Sequence, residues 1–124
     1  FRVYIQSYNI ICNQNIIGFS DKDLQLTANI ARYHSEETPK QSHKDYYILC
    51  DQDKMTVSIL SAILKLAEAL DISHLEKIKE LKLTSDKDLL YFNLNSEEDI
   101  VLEEWNFMRN SDFFEEVLGV KPMI

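Results

Sequence analysis

The stretch from Leu60 to Leu83 constrains this chain more than any other. It begins inside a helix, roughly Lys54 to Leu70, that is apolar on nearly every face. Met55, Ile59, Ala62, Ile63, Leu66, Ala67 and Leu70 leave Ser58, Ser61, Lys65 and Glu68 as a single polar stripe. A helix of that kind belongs at the centre of a core. It ends at Asp71, a Ser73-His74 step follows, and the grammar changes to period two. Ile78, Glu80, Lys82 and Thr84 alternate with Lys79, Leu81 and Leu83, which predicts a strand. So abrupt a switch defines an α+β chain, with an all-helical lobe over residues 1–74 and a small β-β-α-β lobe over 75–124.

The flanking elements follow from the same signals. Residues 1–13 read as the end of a helix, with Ile5, Tyr8 and Ile11 or Cys12 at helical spacing. Ser20-x-x-Asp23 approximates a capping box and opens a second helix that ends near His34. Residues 35–45 are a polar loop containing Pro39, and Tyr46 to Cys50 is a short apolar anchor or helical turn. Asp51 or Asp53 caps the core helix. In the second lobe, Ser85 to Asp88 is a turn and Leu89 to Leu94 an antiparallel strand. Ser96-x-x-Asp99 opens a helix that Asn110-Ser111 could break. Gly119 suits a helix end, and Val120 to Ile124 returns as a last strand.

Charge narrows the function classes. The net charge of −8 arises entirely after residue 50, where 8 basic face 16 acidic side chains; residues 1–50 carry 5 of each. Such a surface repels nucleic acid and polyphosphate, which need clustered Lys and Arg. Gly18 and Gly119 are the only glycines, so no phosphate-cradling loop or dinucleotide fingerprint can be written. No apolar run reaches the roughly 20 residues of a membrane span. Cys12 and Cys50, among apolar neighbours, read as buried free thiols of a cytoplasmic protein. A chain that opens on Phe1 is expected to be a fragment.

The pieces Gly18-Phe19-Ser20-Asp21-Lys22-Asp23, residues 28–34, Leu64 to His74, Leu102-Glu103-Glu104-Trp105 and residues 112–119 occur in an order and spacing that carry a resemblance. Together they resemble the C-terminal region of the exopolyphosphatase / guanosine pentaphosphate phosphatase family. Lys65 and Ile72 stand where that family has Arg. The resemblance implies an HD-like helical lobe, a parent that removes terminal phosphate from polyphosphate or pppGpp with Mg²⁺, and catalytic actin-like domains N-terminal in the same polypeptide. It implies an accessory, dimerisation or substrate-channel role for this region, as a homodimer without nucleic acid or membrane partners.

Against that background the chain offers few catalytic residues. HD-type phosphohydrolases need imidazoles and carboxylates around a metal that activates water. His34 and Asp71 stand where the last histidine and last aspartate of such a set would fall. The His-Asp dyad is missing, because the three histidines precede Ser35, Lys44 and Leu75. A His-rich run of the family is replaced by Val3, Tyr4 and Gln6, although Ser7 and Tyr8 match. The expected assignments are therefore no catalytic, cofactor or metal residue in this region, with His34 and Asp71 as the alternative metal pair. His34 reads as a helix-end residue and Asp71 as a turn-ordering one. Asp71, Ser73 and His74 lie too close in sequence to align as a triad. His43 is expected in solvent, Glu103 and Glu104 on a wet helix face. Tyr91, Phe92, Trp105, Phe107, Phe113 and Phe114 should form a core or a docking surface. Two further readings stand beside the accessory region: an HD-type metal-dependent phosphohydrolase completed by upstream residues, and a non-catalytic interaction module.

Overall fold

The structure, a computed structural model, describes residues 2–34 and 36–124, with side chains from residue 6 onward. The elements run α1 (Arg2–Cys12), α2 (Asp21–Arg32), α3 (Lys44–Tyr47), α4 (Asp51–Leu70), β1 (Glu80–Asp86), β2 (Leu89–Asn95), α5 (Val101–Leu118) and β3 (Lys121–Met123). The class is α+β, helices first and then β-β-α-β. Two compact units divide within α4, one up to Ser61 and one from Ala62.

In the first unit α1 packs on α2. Asn13 and Gln14 close α1, each donating its side-chain amide to the carbonyl four residues back. The capping box of α2 forms as its sequence predicts. Asp23 N donates to Ser20 Oγ at 3.1 Å, and Ser20 N donates to Asp23 Oδ2 at 3.0 Å. The Ser20 backbone and hydroxyl bonds hold the Asp23 carboxyl below its ordinary value. The core of this unit is Tyr33, Tyr46, Leu49 and Val57, flanked by Leu26 and Ile30. Tyr33 meets Tyr46 edge-on, with centroids 6.2 Å apart. The Tyr46 hydroxyl is within 3.2 Å of Ser58 Oγ, so this buried phenol is satisfied.

The second unit is built on α4 and α5. Ala62, Leu66 and Ala69, spaced i, i+4, i+7, turn one face toward Phe107 and Phe114 of α5. The two alanines are what let the rings approach that helix. Phe92 of β2 meets Phe107 edge-on at 5.0 Å, and Leu90, Val117, Leu118 and Val120 complete the cluster. The sheet order is β1-β2-β3, with β1 antiparallel and β3 parallel to β2. Residues 87 and 88 alone turn the hairpin, and Lys87 takes φ 54° to do so. A two-residue hairpin needs such a left-handed residue to match strand twist, so Ser85 and Asp86 belong to β1 rather than to the turn.

Several expectations are corrected. Asn110 and Ser111 do not break α5. Their side chains donate to Asn106 O and Phe107 O, both at 2.8 Å, and the helix continues. Ser96 does not cap it. The capping position is Ile100, and Asp99 Oδ1 instead accepts from Val101 N at 3.0 Å. Ser96 serves the preceding link, donating to Lys77 O at 2.7 Å. Cys12 and Cys50 are exposed, not buried. Leu49, not its neighbour Cys50, takes the core position there. The polar stripe of α4 is not its wet side either. Ser61 and Lys65 are buried, and Lys65 Nζ sits 6.0 Å from the Phe113 ring centroid. Periodicity separates the faces of a helix but does not say which one turns inward. Gly119 closes α5 at φ 76°, as its position past the last apolar residue predicts.

Candidate functional site

The end of α2 carries the densest polar cluster. Tyr33 is fully buried, and its hydroxyl lies 2.7 Å from His43 Nδ1. His43 Nε2 is 3.7 Å from Glu37 Oε2, and Glu37 Oε1 accepts from Arg32 Nε at 2.9 Å. The expectation that His43 lies in solvent is thus overturned, since its side chain is only 13% exposed. Burial and then the Arg32 charge push its pKa below the usual 6.5, against an upward pull from Glu37. Burial raises the Tyr33 phenol to about 12. Both groups are neutral at pH 7, and the Glu37 carboxylate 3.7 Å from Nε2 favours the tautomer with the proton there, in which Nδ1 accepts from the Tyr33 hydroxyl. The one imidazole lone pair is occupied by a buried phenol. The cluster ties the polar loop to α2. Asn29, also buried, donates to Gln25 O at 3.0 Å from the same helix.

Tyr8 is one of the two residues of α1 that match the family run. Burial first, then hydrogen bonding with Cys12 and the Asp45 charge, raise its phenol well above the ordinary value. Val3 and Tyr4 lie outside the described side chains.

His34 belongs to the first unit and Asp71 to the second. His34 Nδ1 is 2.6 Å from Ala31 O, the helix-end interaction that its position predicts. Asp71 Oδ2 is 3.7 Å from His74 Nδ1, and both side chains are more than half exposed. Such a pair contributes little to stability. The backbone of this turn is left-handed at His74 (φ 58°) and Glu76 (φ 50°). Ser73 interacts with the carboxylate of Glu103, so no serine–histidine–aspartate relay assembles. Among the described residues, no three His, Cys, Asp or Glu side chains come together as a group that could hold a metal ion.

Glu103 is a group whose burial the sequence concealed. Expected on a wet face, it is fully buried. Lys77 Nζ reaches Oε1 at 3.5 Å and also donates to Asp99 O at 3.0 Å. Burial alone would raise the Glu103 pKa. The Ser73 hydroxyl, its own backbone N–H and Lys77 outweigh that and leave it below 4.5. The pair pins the link after α4 onto α5. No spacing rule joins Lys77 to Glu103, so no sequence signal pointed to it.

The remaining features are apolar surfaces. On α4, Leu60, Ile63 and Leu64 are 44%, 47% and 37% exposed, a stripe at helical spacing with Ala67 beside it. The α5 face of Val101, Leu102, Trp105 and Met108 is about half exposed or more. Trp105 thus leaves the aromatic core, while Phe107 and Phe114 enter it. An open groove of about 530 Å³ runs past Ala67, Leu70, Ile78 and Leu81, with Asp71, Glu76 and Lys79 also lining it. A second hollow of about 350 Å³ is lined by Phe107, Met108 and the β3 residues. No helix among the described residues is long and apolar enough to cross a membrane.

No curated protein matches the chain. A family model described as Ppx/GppA phosphatase, domain III, matches residues 3–115. That span takes in all five helices from residue 3 to within α5 and the β1–β2 hairpin, so the chain belongs to the Ppx/GppA phosphatase family and carries its domain III.

Proposed function

We propose that this region is a non-catalytic accessory and dimerisation part of an exopolyphosphatase or pppGpp phosphatase. In this reading, hydrolysis and its Mg²⁺ belong to actin-like domains elsewhere in the same cytoplasmic polypeptide. The observation that carries it is the α4 stripe of Leu60, Ile63 and Leu64. Large apolar side chains in a row on one helix favour a protein partner, and a domain numbered third in its family has sister domains to meet. The net charge of −8 favours protein contact over a polyphosphate channel.

The test is phosphate release from polyphosphate and from pppGpp with Mg²⁺. The 124-residue chain alone releases none. A longer polypeptide that includes the upstream domains does, and Ile63→Asp with Leu64→Asp lowers its rate by roughly tenfold or more by undoing the domain contact. Turnover by the isolated chain, lost on His34→Ala or Asp71→Ala, would replace this reading with the HD-type metal hydrolase.

A further inference from the structure

We propose that β1 is a self-pairing edge, joining two copies of this chain through antiparallel β1–β1 contact into one continuous sheet. The proposal rests on the dimer reading above and specifies its surface.

Strand β1 hydrogen-bonds to β2 on one side, and in the described sheet no strand lies on the other. All seven of its residues are exposed. Leu81 and Leu83 are 46% and 55% exposed, although their cross-strand partners Leu94 and Phe92 lie on the face that α5 covers through Phe92–Phe107. The outermost strand therefore extends an apolar face past its helix. Native proteins blunt such an edge with a bulge, a proline or charged side chains, Lys above all. The β1 residues, Glu80-Leu81-Lys82-Leu83-Thr84-Ser85-Asp86, contain no proline, so Glu80, Lys82 and Asp86 decide which pairings the edge can make.

A two-fold axis perpendicular to the sheet allows only registers centred on a residue, because opposed residues must share a face. Centring on Lys82 sets two ammonium groups against each other. Centring on Leu83 sets Glu80 against the partner's Asp86. Centring on Thr84 pairs Lys82 with the partner's Asp86 but leaves Leu81 opposite Lys87 of the partner subunit. Centring on Leu81 stacks Leu81 on its own copy. It also places Glu80 opposite the partner's Lys82, and Lys82 opposite the partner's Glu80. Leu83 then lies along the stem of the partner's Lys79. Of these four registers it alone satisfies both charge and apolar continuity. Its few strand pairs make a small interface, so association is weak and reversible.

Sedimentation velocity of the 124-residue chain, over concentrations on the order of 10 to 500 μM, tests this. The wild type dimerises. Glu80→Lys and Lys82→Glu each set like charges opposite one another twice and weaken the dimer about tenfold or more. The double exchange Glu80→Lys/Lys82→Glu restores complementarity and returns the dissociation constant to within about threefold of wild type. Both side chains are exposed, and unchanged far-UV circular dichroism with unchanged Trp105 emission confirms folding in each variant. A dimer indifferent to all three variants overturns the β1 edge and leaves the dimer reading intact on another face. A chain monomeric throughout the range overturns both.

Discussion

Replacing Lys77 by Met tests the buried ion pair of the second unit most directly. Glu103 is fully buried and Lys77 is 17% exposed, with Nζ to Oε1 at 3.5 Å. Removing one partner of a buried pair typically costs 3–5 kcal/mol, because the other charge is left uncompensated. Here the contact is long and one partner reaches water, which lowers the figure. The bond to Asp99 O is lost as well. Together these give about 2–3 kcal/mol at pH 7. The Glu103 pKa lies below 4.5 in the folded state. Its stabilisation is therefore present above about pH 4.5 and is lost as pH falls through the folded value. In Lys77→Met the folded pKa moves upward, and acid protonates a carboxylate that is a liability. The stability gap between the two proteins thus narrows as pH falls from 7 toward about 3.5. Urea unfolding followed by Trp105, the one tryptophan and a residue of α5, reads this unit directly. A gap under about 0.5 kcal/mol at pH 7, or one that does not change with pH, refutes the reasoning.

Further outcomes are expected. His43→Gln removes a group whose folded pKa lies below 6.5; the wild type loses stability as pH drops below that value, the variant does not, and thermal unfolding at pH 5 and 7.5 shows the difference. Phe107→Ala empties the centre of the α4–α5–β2 core and costs about 3–5 kcal/mol by the same urea assay. Gly119→Ala meets open space but must hold φ 76°, and lowers stability by about 1 kcal/mol. Cys12 and Cys50 both react promptly with a thiol reagent in the folded chain; two slow thiols would contradict their exposure.

The elements with strong local chemistry were legible in the sequence. The Ser20–Asp23 box, the Gly119 stop and the alternation of β1 each announce themselves through a few adjacent residues. The family pieces fixed the order of helices and hairpin because their spacing is specific. What was hidden depends on distant partners. His43 goes inward because a tyrosine ten residues back needs an acceptor. Glu103 goes inward because Lys77 and Ser73 reach it. The α4 faces were separable by periodicity, but their orientation was not. Ser61 and Lys65 read as part of the polar stripe and Met55 and Ile63 as part of the apolar faces, yet the first two are buried and the last two exposed. Helix α5 resisted a break at Asn110-Ser111 because both side chains fold back on the preceding turn, an option that residue type alone does not disclose.

The mixed pairing of the small sheet sets an order of events. The β1–β2 hairpin closes over two residues and can form within microseconds. Strand β3 joins β2 in parallel across the whole length of α5, a pairing far more distant in sequence and so expected to be the slower one. Until it does, β2 offers Leu89, Leu90 and Tyr91 as an unguarded ladder to any passing strand. The vulnerable moment of this unit is therefore a late one, and a slowly docking β3 would show itself as aggregation before any loss of native stability.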